Sequence, residues 1–384
     1  MVVIPDSDHT VRVKLLDTTT YLTGIANVFV DPVVAGHETF SFYDFAFLIE
    51  NERLGKKVMF DLGTRKDYWN LSPPSNGSLD VADVLTDGGV QLNEIDSCIW
   101  SHYHYDHCGN MAPFPPSTTI TVGAGFAAAG LLPGYPENPE SPVLATDFEN
   151  RSLVEIKFDD GLTIGGFPAH DYFGDGSLYL LDSPGHCPGH ISALARTTPS
   201  SGEREATFVF LGGDICHFAG DFRPSPDKPL PDHLQEGLLR RRKAPIKCPC
   251  SLRSNHPNAT NEADARTTPW YKMASEYPTV YKDYEIAKSS VLKMQALDQD
   301  DNVLVCLAHD AILLDTLPLF NKSPGENMND WKIRGMKEKC HWGWLNDVSI
   351  DGKPAQDPLV EGFWRDGKLW DYGAFKKTLN IPPL

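Results

Sequence analysis

The segment Ser101–His107, which reads SHYHYDH, constrains the fold of this chain more than any other part of the sequence. It places four metal-ligand side chains within six residues, at His102, His104, Asp106 and His107. A helix turns through about 100° per residue, so these side chains cannot share one helix face, but they can converge on a loop after a strand. A bound cation relieves the unpaired polar groups and the repulsion that such packing creates. The segment therefore predicts a metal site.

Three later predicted strands end in side chains of the same kind. They are 177–190 with His186, 206–218 with Asp214, and 302–310 with His309. Upstream, the runs 40–50 and 57–63 form a hairpin pattern. The stretch 78–89 has helical spacing, and 153–164 favours a further strand. Because sites in α/β layer folds lie at strand carboxyl ends, we expect an α/β fold that brings these loops together.

In order and spacing, these segments resemble the metallo-β-lactamase-fold hydrolase superfamily. The pattern of that family is HxHxDH, then a PGHxxGH turn, then GD after a strand, then a late histidine, and it spans 102–309 here. The run Phe60–Gly63 resembles the early DxG element of the family. The resemblance implies a four-layer αβ/βα sandwich with a dinuclear site at one edge. In the residues of these motifs, the sequence most resembles the acyl-homoserine-lactonase-like branch of that superfamily.

The resemblance also implies a set of seven ligands, of which three hold one ion, three hold the other and one bridges them. In that order they are His102, His104 and His186; Asp106, His107 and His309; and Asp214. Imidazole and carboxylate without thiolate suit Zn²⁺, and Fe or Mn tolerates the same ligands. We therefore expect two Zn²⁺ ions that share a hydroxide, which attacks the substrate carbonyl.

His217 departs from the lactonase pattern, in which a tyrosine stands three residues after the bridging aspartate and contacts the substrate. An imidazole can donate the same hydrogen bond or protonate a leaving amine, so the substrate need not be a homoserine lactone. Tyr105 and Tyr172 are alternative sources of a phenol. We predict Asp106, Asp214 and His217 as the catalytic residues.

Several residues near the predicted ligands allow a structural and a functional interpretation. His190, the second histidine of the PGHxxGH turn, is expected to fix the loop and not to bind metal. Asp61 either orients a ligand histidine through its free ring nitrogen or caps a strand end. Cys108, Cys187 and Cys216 lie close to ligands and are expected to pack as small apolar groups, the alternative being a redox-sensitive site.

The composition argues against several classes of partner. The chain of 384 residues has 34 Lys and Arg against 52 Asp and Glu, a net charge of −18, which disfavours nucleic acid. It has no apolar run of about eighteen residues and no export leader, so we expect a cytoplasmic protein without a membrane partner. The eight cysteines are expected to be reduced, and Cys248 and Cys250 stand too close for a zinc knuckle.

We expect one metallo-β-lactamase-fold domain over 1–384. It carries an irregular insertion at 219–300, with a helix near 281–298 packed over the site, and a Trp-rich C-terminal extension at 310–384.

Two hydrolase functions and one non-enzymatic function fit these features. The favoured one is opening of a small cyclic ester, cyclic carbamate or γ-lactam. A glyoxalase-II-like thioesterase is the alternative, and it needs cations for the glutathione carboxylates. The candidates for that role are Lys332, Arg334, Lys337 and Lys339. The third hypothesis is a metal-binding protein without turnover, but it does not explain why all seven predicted ligands are present.

Overall fold

A computed structural model of the chain describes residues 2–67, 79–201, 204–243, 246, 249–357, 359, 363–365 and 368–370. The strands are β1 Arg12–Ile25, β2 Val30–Asp31, β3 Thr39–Asn51, β4 Lys56–Phe60, β5 Ser97–Ile99, β6 Thr119–Val122, β7 Leu153–Glu155, β8 Thr163–Ile164, β9 Phe167–Asp171, β10 Leu178–Asp182, β11 Ile191–Thr198, β12 Thr207–Leu211, β13 Lys272–Met273, β14 Val303–Cys306, β15 Phe363–Arg365 and β16 Lys368–Trp370. The α-helices are α1 Val81–Asp87, α2 Tyr105–Cys108, α3 Ala145–Phe148, α4 Pro249–Ser254, α5 Tyr284–Asp298, α6 Leu313–Thr316 and α7 Met336–Trp342.

Two six-stranded sheets organise these elements. The first has the order β1-β3-β4-β5-β6-β7, antiparallel up to β4 and parallel from there on. The second has the order β14-β12-β11-β10-β9-β8, in which only β14 and β12 are parallel. Two-stranded pairs of β2 with β13 and of β15 with β16 complete the described strands.

The sheets pack face to face, and helices cover their outer faces. One buried cluster joins Phe47 of the first sheet to Val209 of the second and forms the central core. A second cluster packs Leu85 of α1 on the outside of the first sheet. A third packs Met294 of α5 on the outside of the second sheet. Each sheet is therefore covered on both faces, and the predicted four-layer αβ/βα sandwich is confirmed.

The continuous apolar run of β3 follows from this layering. Phe47 and Ile49 face the central core, whereas Ala46 and Leu48 face the outer layer with α1. Successive side chains of a strand point to opposite faces, so a strand buried on both sides has no polar alternation.

Some boundaries differ from the sequence prediction. The run 153–164 is not one strand, since β7 belongs to the first sheet and β8 to the second. The helix expected near 281–298 begins at Tyr284, because the carboxylate of Asp283 accepts the N–H of Ile286 and caps it there. Within the described residues, no helix has the length and hydropathy needed to cross a membrane.

The cysteines and tryptophans follow the predictions in part. Six cysteines have free, buried thiols, but Cys250 is disulfide-bonded, so the expectation of reduced thiols is wrong there; Cys248 lies outside the described residues. Three tryptophans of the C-terminal extension, Trp331, Trp342 and Trp344, are buried in the cores.

Candidate metal centre

The seven predicted ligands come together at one edge of the sandwich. The loop after β5 supplies the first four, and the turns after β10, β12 and β14 supply His186, Asp214 and His309. The segment 102–107 is a loop only as far as His104, since Asp106 and His107 lie in the one-turn helix α2. That turn forms because the N–H groups of His107 and Cys108 both donate to the carbonyl of His104.

Three of the imidazoles form a tight triangle. His102 Nε2 lies 2.9 Å from His104 Nδ1, and His186 Nε2 lies 3.2 Å and 3.0 Å from these two atoms. Ligands held about 2.0–2.1 Å from a tetrahedral Zn²⁺ are separated by roughly 3.3 Å, close to these spacings. Each ring contributes one nitrogen to the triangle, and in a neutral ring that nitrogen is either a donor or an acceptor. Hydrogen bonds therefore cannot satisfy all three N···N contacts at once. The triangle therefore fits a cation.

The other predicted ligands form a second group beside it. Asp214 Oδ1 lies 3.2 Å from His107 Nε2 and 3.1 Å from His309 Nε2. Asp106 closes the group, with its oxygens 3.9 Å from His107 Nε2 and 3.8 Å from His309 Nε2. His107 Nε2 and Asp214 Oδ1 are buried without a hydrogen-bond partner. Orphaned buried atoms of this kind are costly unless a ligand satisfies them, so this group also fits a cation.

The two oxygens of Asp214 face different groups. Oδ1 faces His107 and His309, whereas Oδ2 lies 3.7 Å from His102 Nε2 and 3.6 Å from His186 Nε2. This carboxylate therefore stands between the two ligand groups.

Electrostatics divides the imidazoles in the same way. Burial, reinforced by neighbouring rings, lowers the pKa of His102 and of His186 well below the usual range, so both are neutral bases. Burial also opposes charge on His309, but Asp214 and Asp106 outweigh it and raise the pKa of His309 to about 9. Burial disfavours the charge of Asp214 as well, yet His107 and His309 hold its pKa well below the usual value. The centre is a buried carboxylate surrounded by bases, which suits a divalent cation.

Hydrogen bonds outside the cluster orient its rings. Asp61 Oδ2 lies 2.8 Å from His107 Nδ1, and Asp61 Oδ1 accepts the backbone N–H of Ser101 at 2.6 Å. Both interpretations of Asp61 therefore apply: it orients the ligand-type histidine His107, and it caps a strand end. His309 Nδ1 lies 2.9 Å from the carbonyl oxygen of Tyr43, which fixes this ring similarly.

His190 fixes the loop, as its position in the turn predicts. Its Nε2 accepts the backbone N–H of Asp214 at 3.0 Å, so its proton is on Nδ1, which donates to the carbonyl of Ser183 at 2.8 Å. Burial lowers the pKa of His190 to about 4, so the ring stays neutral.

The cysteines near the ligands are buried thiols. Burial raises the pKa of Cys187 to about 12 and the pKa values of Cys108 and Cys216 well above the ordinary value. Protonated, buried thiols of this kind pack as small apolar groups and react slowly.

His217 lies against the bridging position. Its Nε2 is 3.1 Å from Asp214 Oδ2, and its ring stacks on that of His309 with centroids 6.0 Å apart. A phenol lies beside it, but this phenol belongs to Tyr281, whose Oη is 3.3 Å from His217 Nδ1. Tyr172, one of the two phenols suggested by the sequence, instead interacts with Ser97 and Thr121 of the first sheet.

Sequence reasoning placed Tyr281 at the start of a predicted helix, and no motif linked it to His217, so this contact was missed; in the structure Tyr281 precedes α5, which begins at Tyr284. Tyr105, the other suggested phenol, is half-buried in α2, where burial and then the charge of Asp106 raise its pKa well above the ordinary value.

A small cavity opens beside His217 and His309. Its walls are largely aromatic and include Phe40, Phe42, Phe218 and Trp344, and two carboxylates, Asp310 and Asp347, also line it. The rings of Phe40 and Phe218 stack at 4.9 Å. The cavity thus offers flat apolar walls next to the metal centre.

Comparisons with known proteins agree with this arrangement. A model of the metallo-beta-lactamase superfamily matches residues 42–198. The gamma-lactamase FDB1 of Fusarium pseudograminearum (strain CS3096) is 40% identical over 383 residues, which cover 94% of this chain and 86% of that protein. The metallo-hydrolase mfmC of Annulohypoxylon moriforme is 37% identical over 359 residues, which cover 90% of this chain and 89% of that protein.

A crystal structure of a quorum-quenching N-acyl homoserine lactone lactonase has the same fold, with a TM-score of 0.52 at 15% identity. That match covers 82% of this chain and 98% of the lactonase. The sandwich, its ligand-bearing edge and the two close relatives lead to one conclusion, namely that this chain belongs to the metallo-β-lactamase superfamily.

Proposed function

We propose that this metal-dependent hydrolase opens the ring of a small γ-lactam, cyclic carbamate or lactone. The observation that carries the proposal is the convergence of seven ligand-type side chains in two groups, with the two oxygens of Asp214 between the groups. The relationship to a protein named gamma-lactamase, at 40% identity over 94% of the chain, supports a cyclic amide as substrate.

We propose two Zn²⁺ ions as the metals, with Fe or Mn compatible with the same ligands. His102, His104 and His186 would hold one ion, and Asp106, His107 and His309 the other, with Asp214 shared. When bound, such a pair supplies an activated water and polarises a carbonyl group. The seven side chains hold the ions, and Asp61 and His190 keep two of the ligands in place from behind.

Within this proposal His217 is the side chain that contacts substrate. It lines the aromatic cavity, and its Nε2 is 3.1 Å from Asp214 Oδ2. A hydrogen bond from this ring stabilises negative charge that develops on the carbonyl oxygen or on the leaving atom. The aromatic side chains of Phe42 and Phe218 beside the centre favour contact with an apolar ring of the substrate.

Three of the four candidate cations for a glyoxalase-II-like thioesterase are engaged elsewhere, and the first of them, Lys332, contacts the side chain of Asn302. Lys337 Nζ donates to the carbonyls of Asp298 at 2.9 Å and Asp300 at 2.5 Å, near the start of β14. His309 follows the opposite end of that strand. Arg334 is paired with Asp330 at 3.6 Å. These contacts favour a cyclic substrate over a glutathione thioester.

A substrate panel and a metal count test the proposal together. The purified protein should contain two ions per chain and hydrolyse a bicyclic γ-lactam or cyclic carbamate faster than S-lactoylglutathione, with γ-butyrolactone as the ester comparison. Dominant thioester turnover would reverse the substrate assignment, and no turnover of any of these compounds would favour a metal-binding protein without activity.

Ligand substitutions test the metal assignment separately. His309→Ala should lower the metal content towards one ion per chain and abolish turnover, because it removes a ligand of one ion only. His170→Ala is the matched control, since His170 lies in β9, away from the cluster, and it should keep both ions. Equal metal content in the two variants would contradict the ligand assignment.

A further inference from the structure

The contacts of His217 on both sides of its ring define which nitrogen carries the proton. We propose that Tyr281, supplied by the 219–300 segment, is a positioning residue that holds His217 in the Nε2–H tautomer. The ring then presents a hydrogen-bond donor to the metal centre instead of a ligating lone pair. This inference rests on the proposed function, in which His217 contacts substrate.

The first contact is on the Nδ1 side. Tyr281 Oη lies 3.3 Å from His217 Nδ1, and the backbone N–H of His217 interacts with the same phenol oxygen. A phenol has one proton to donate. Burial raises the pKa of Tyr281 well above its usual value, so the phenol keeps that proton. With its oxygen accepting the backbone N–H, Tyr281 still has its O–H to donate, and Nδ1 of His217 is an acceptor within its reach, which corresponds to an unprotonated Nδ1.

The second contact is on the Nε2 side. Nε2 lies 3.1 Å from Asp214 Oδ2, and an ionised carboxylate can only accept hydrogen bonds. A neutral ring with an unprotonated Nδ1 has its proton on Nε2, where the carboxylate requires a donor. The two contacts, made by different side chains, thus select the same tautomer.

The tautomer decides between two roles that the position of His217 allows. His186, Asp214 and His217 have ligand atoms within 4.8 Å of one another, so the ring could serve as an additional metal ligand. A ligating nitrogen needs its lone pair. With the proton on Nε2 the ring cannot ligate through that atom; the N–H faces Asp214 Oδ2 and is the donor available to a substrate bound beside it. Tyr281 therefore keeps His217 out of the metal coordination.

The 219–300 segment holds Tyr281 rigidly against the ligand loop. The N–H groups of Lys282 and Asp283 donate to the carbonyls of His186 and Gly185 at 3.0 Å and 2.9 Å. Gly185 has φ +125°, and a Cβ there would lie 2.2 Å from the nitrogen of Ala287, so only glycine permits this close approach. The same loop that provides the ligand His186 thus fixes the backbone of Tyr281, which is itself 2% exposed.

The first test reads the tautomer directly. Long-range ¹H–¹⁵N spectra of protein with labelled histidine should show His217 with the proton on Nε2, in both the metal-free and the Zn²⁺-loaded protein. In Tyr281→Phe the proton should shift partly to Nδ1. A wild-type ring protonated on Nδ1, or a tautomer unchanged in the variant, overturns the inference whatever the enzyme hydrolyses.

Tyr271→Phe provides a matched control. Tyr271 is also a buried tyrosine of the 219–300 segment, and its Oη lies 2.8 Å from the Nδ1 of another histidine, His37. It has no such contact with His217. This variant removes the same kind of hydrogen bond, so any loss of folding stability should be similar, but the tautomer of His217 and the rate of turnover should not change.

The second test uses kinetics and Co²⁺ spectroscopy. Tyr281→Phe should lower kcat for a cyclic substrate about tenfold, the worth of one ordinary hydrogen bond, with little change in KM. His217→Ala should lower kcat about 100-fold to 1000-fold, as for other donors to developing charge. In the His217→Ala background, Tyr281→Phe should have no further effect, because Tyr281 acts through His217.

The visible spectrum of the Co²⁺-substituted protein should be the same in wild type and His217→Ala, because His217 is not a ligand. A changed spectrum in His217→Ala, or additive kinetic losses in the double variant, would refute the inference. An unreactive substrate panel would instead refute the proposed function and leave the tautomer result standing.

Discussion

Asp61→Asn should weaken metal binding about 10-fold to 100-fold while the fold stays intact. Asp61 supports His107 from behind, with its Oδ2 2.8 Å from Nδ1, and its Oδ1 accepts the N–H of Ser101 at 2.6 Å. Asparagine keeps the shape and one acceptor, so the bond to Ser101 survives. Asp61 has φ +61°, a left-handed conformation that asparagine also tolerates. The substitution therefore changes one contact, the one to His107.

The size of the effect follows from the chemistry of that contact. The carboxylate accepts Nδ1–H and leaves the Nε2 lone pair directed at the centre, where Asp214 Oδ1 is 3.2 Å away. An asparagine that presents its NH₂ group to His107 favours a proton on Nε2, which blocks the ligating lone pair. A 10-fold to 100-fold loss corresponds to about 1.4–2.7 kcal/mol, the cost of restoring the correct tautomer and orientation.

Competition with a chromophoric chelator measures this affinity, and a melt of the metal-free protein measures the fold. Asp175→Asn is the control, because Asp175 also accepts hydrogen bonds at a buried position, from Asn51 and Ser177, but away from the cluster. We expect Asp175→Asn to lower stability without a change in metal affinity. Unaltered metal affinity in Asp61→Asn would refute the reasoning that the carboxylate orients His107.

Three further predictions concern stability and the cavity. Arg223→Ala should lower the free energy of unfolding by about 3–5 kcal/mol in urea titrations, because Arg223 donates to both oxygens of buried Asp298, at 2.9 Å and 2.6 Å. Its loss leaves this charge beside His341, whose Nδ1 is 3.1 Å away and whose pKa burial lowers to about 4, in place of a permanent cation. Burial raises the pKa of Asp147 to about 6, so the folded state holds a proton that the unfolded state loses near the ordinary aspartate pKa of 3.8, and stability should fall as the pH rises from about 4 to about 6. Asp147→Asn should remove this dependence of the free energy of unfolding on pH. The difference in that free energy between wild type and variant, measured at each pH, cancels the effect of metal loss. Phe218→Ala should raise KM for a bicyclic substrate by about 2-fold to 12-fold, as expected for one aromatic contact, with kcat kept; an unchanged KM would show that the substrate ring binds elsewhere.

The clustering of the seven ligand-type side chains was predictable because its information is local. The 102–107 segment leaves few arrangements in which its four side chains avoid conflict, and the other three ligands each end a strongly apolar strand. Parallel strands bring their carboxyl ends to one edge, as β12 and β14 do for Asp214 and His309. Local pattern and sheet geometry together were therefore enough for the centre of the site.

What the sequence did not predict depends on packing over long distances. The run 153–164 was divided between two sheets, because its middle part, 156–162, is not a strand and links β7 of the first sheet to β8 of the second. Tyr281 lies 64 residues from His217, and only the packing of the 219–300 segment on the His186 loop brings them together. Irregular segments have no period from which such contacts can be read.

The position of Tyr281 gives a physical reason why a histidine can stand at 217, where the lactonase pattern has a tyrosine. The lactonases that this sequence resembles carry a phenol three residues after the bridging aspartate. Here the phenol of Tyr281 stands farther out, and the imidazole lies between it and Asp214. Phe42, whose ring centroid lies 6.4 Å from that of His217, lines the adjacent cavity together with Phe218 and Trp344. In the function proposed above, the exchange therefore keeps a hydrogen-bond donor beside Asp214, and a separate segment of the chain supplies the phenol that the lactonase pattern places at this position.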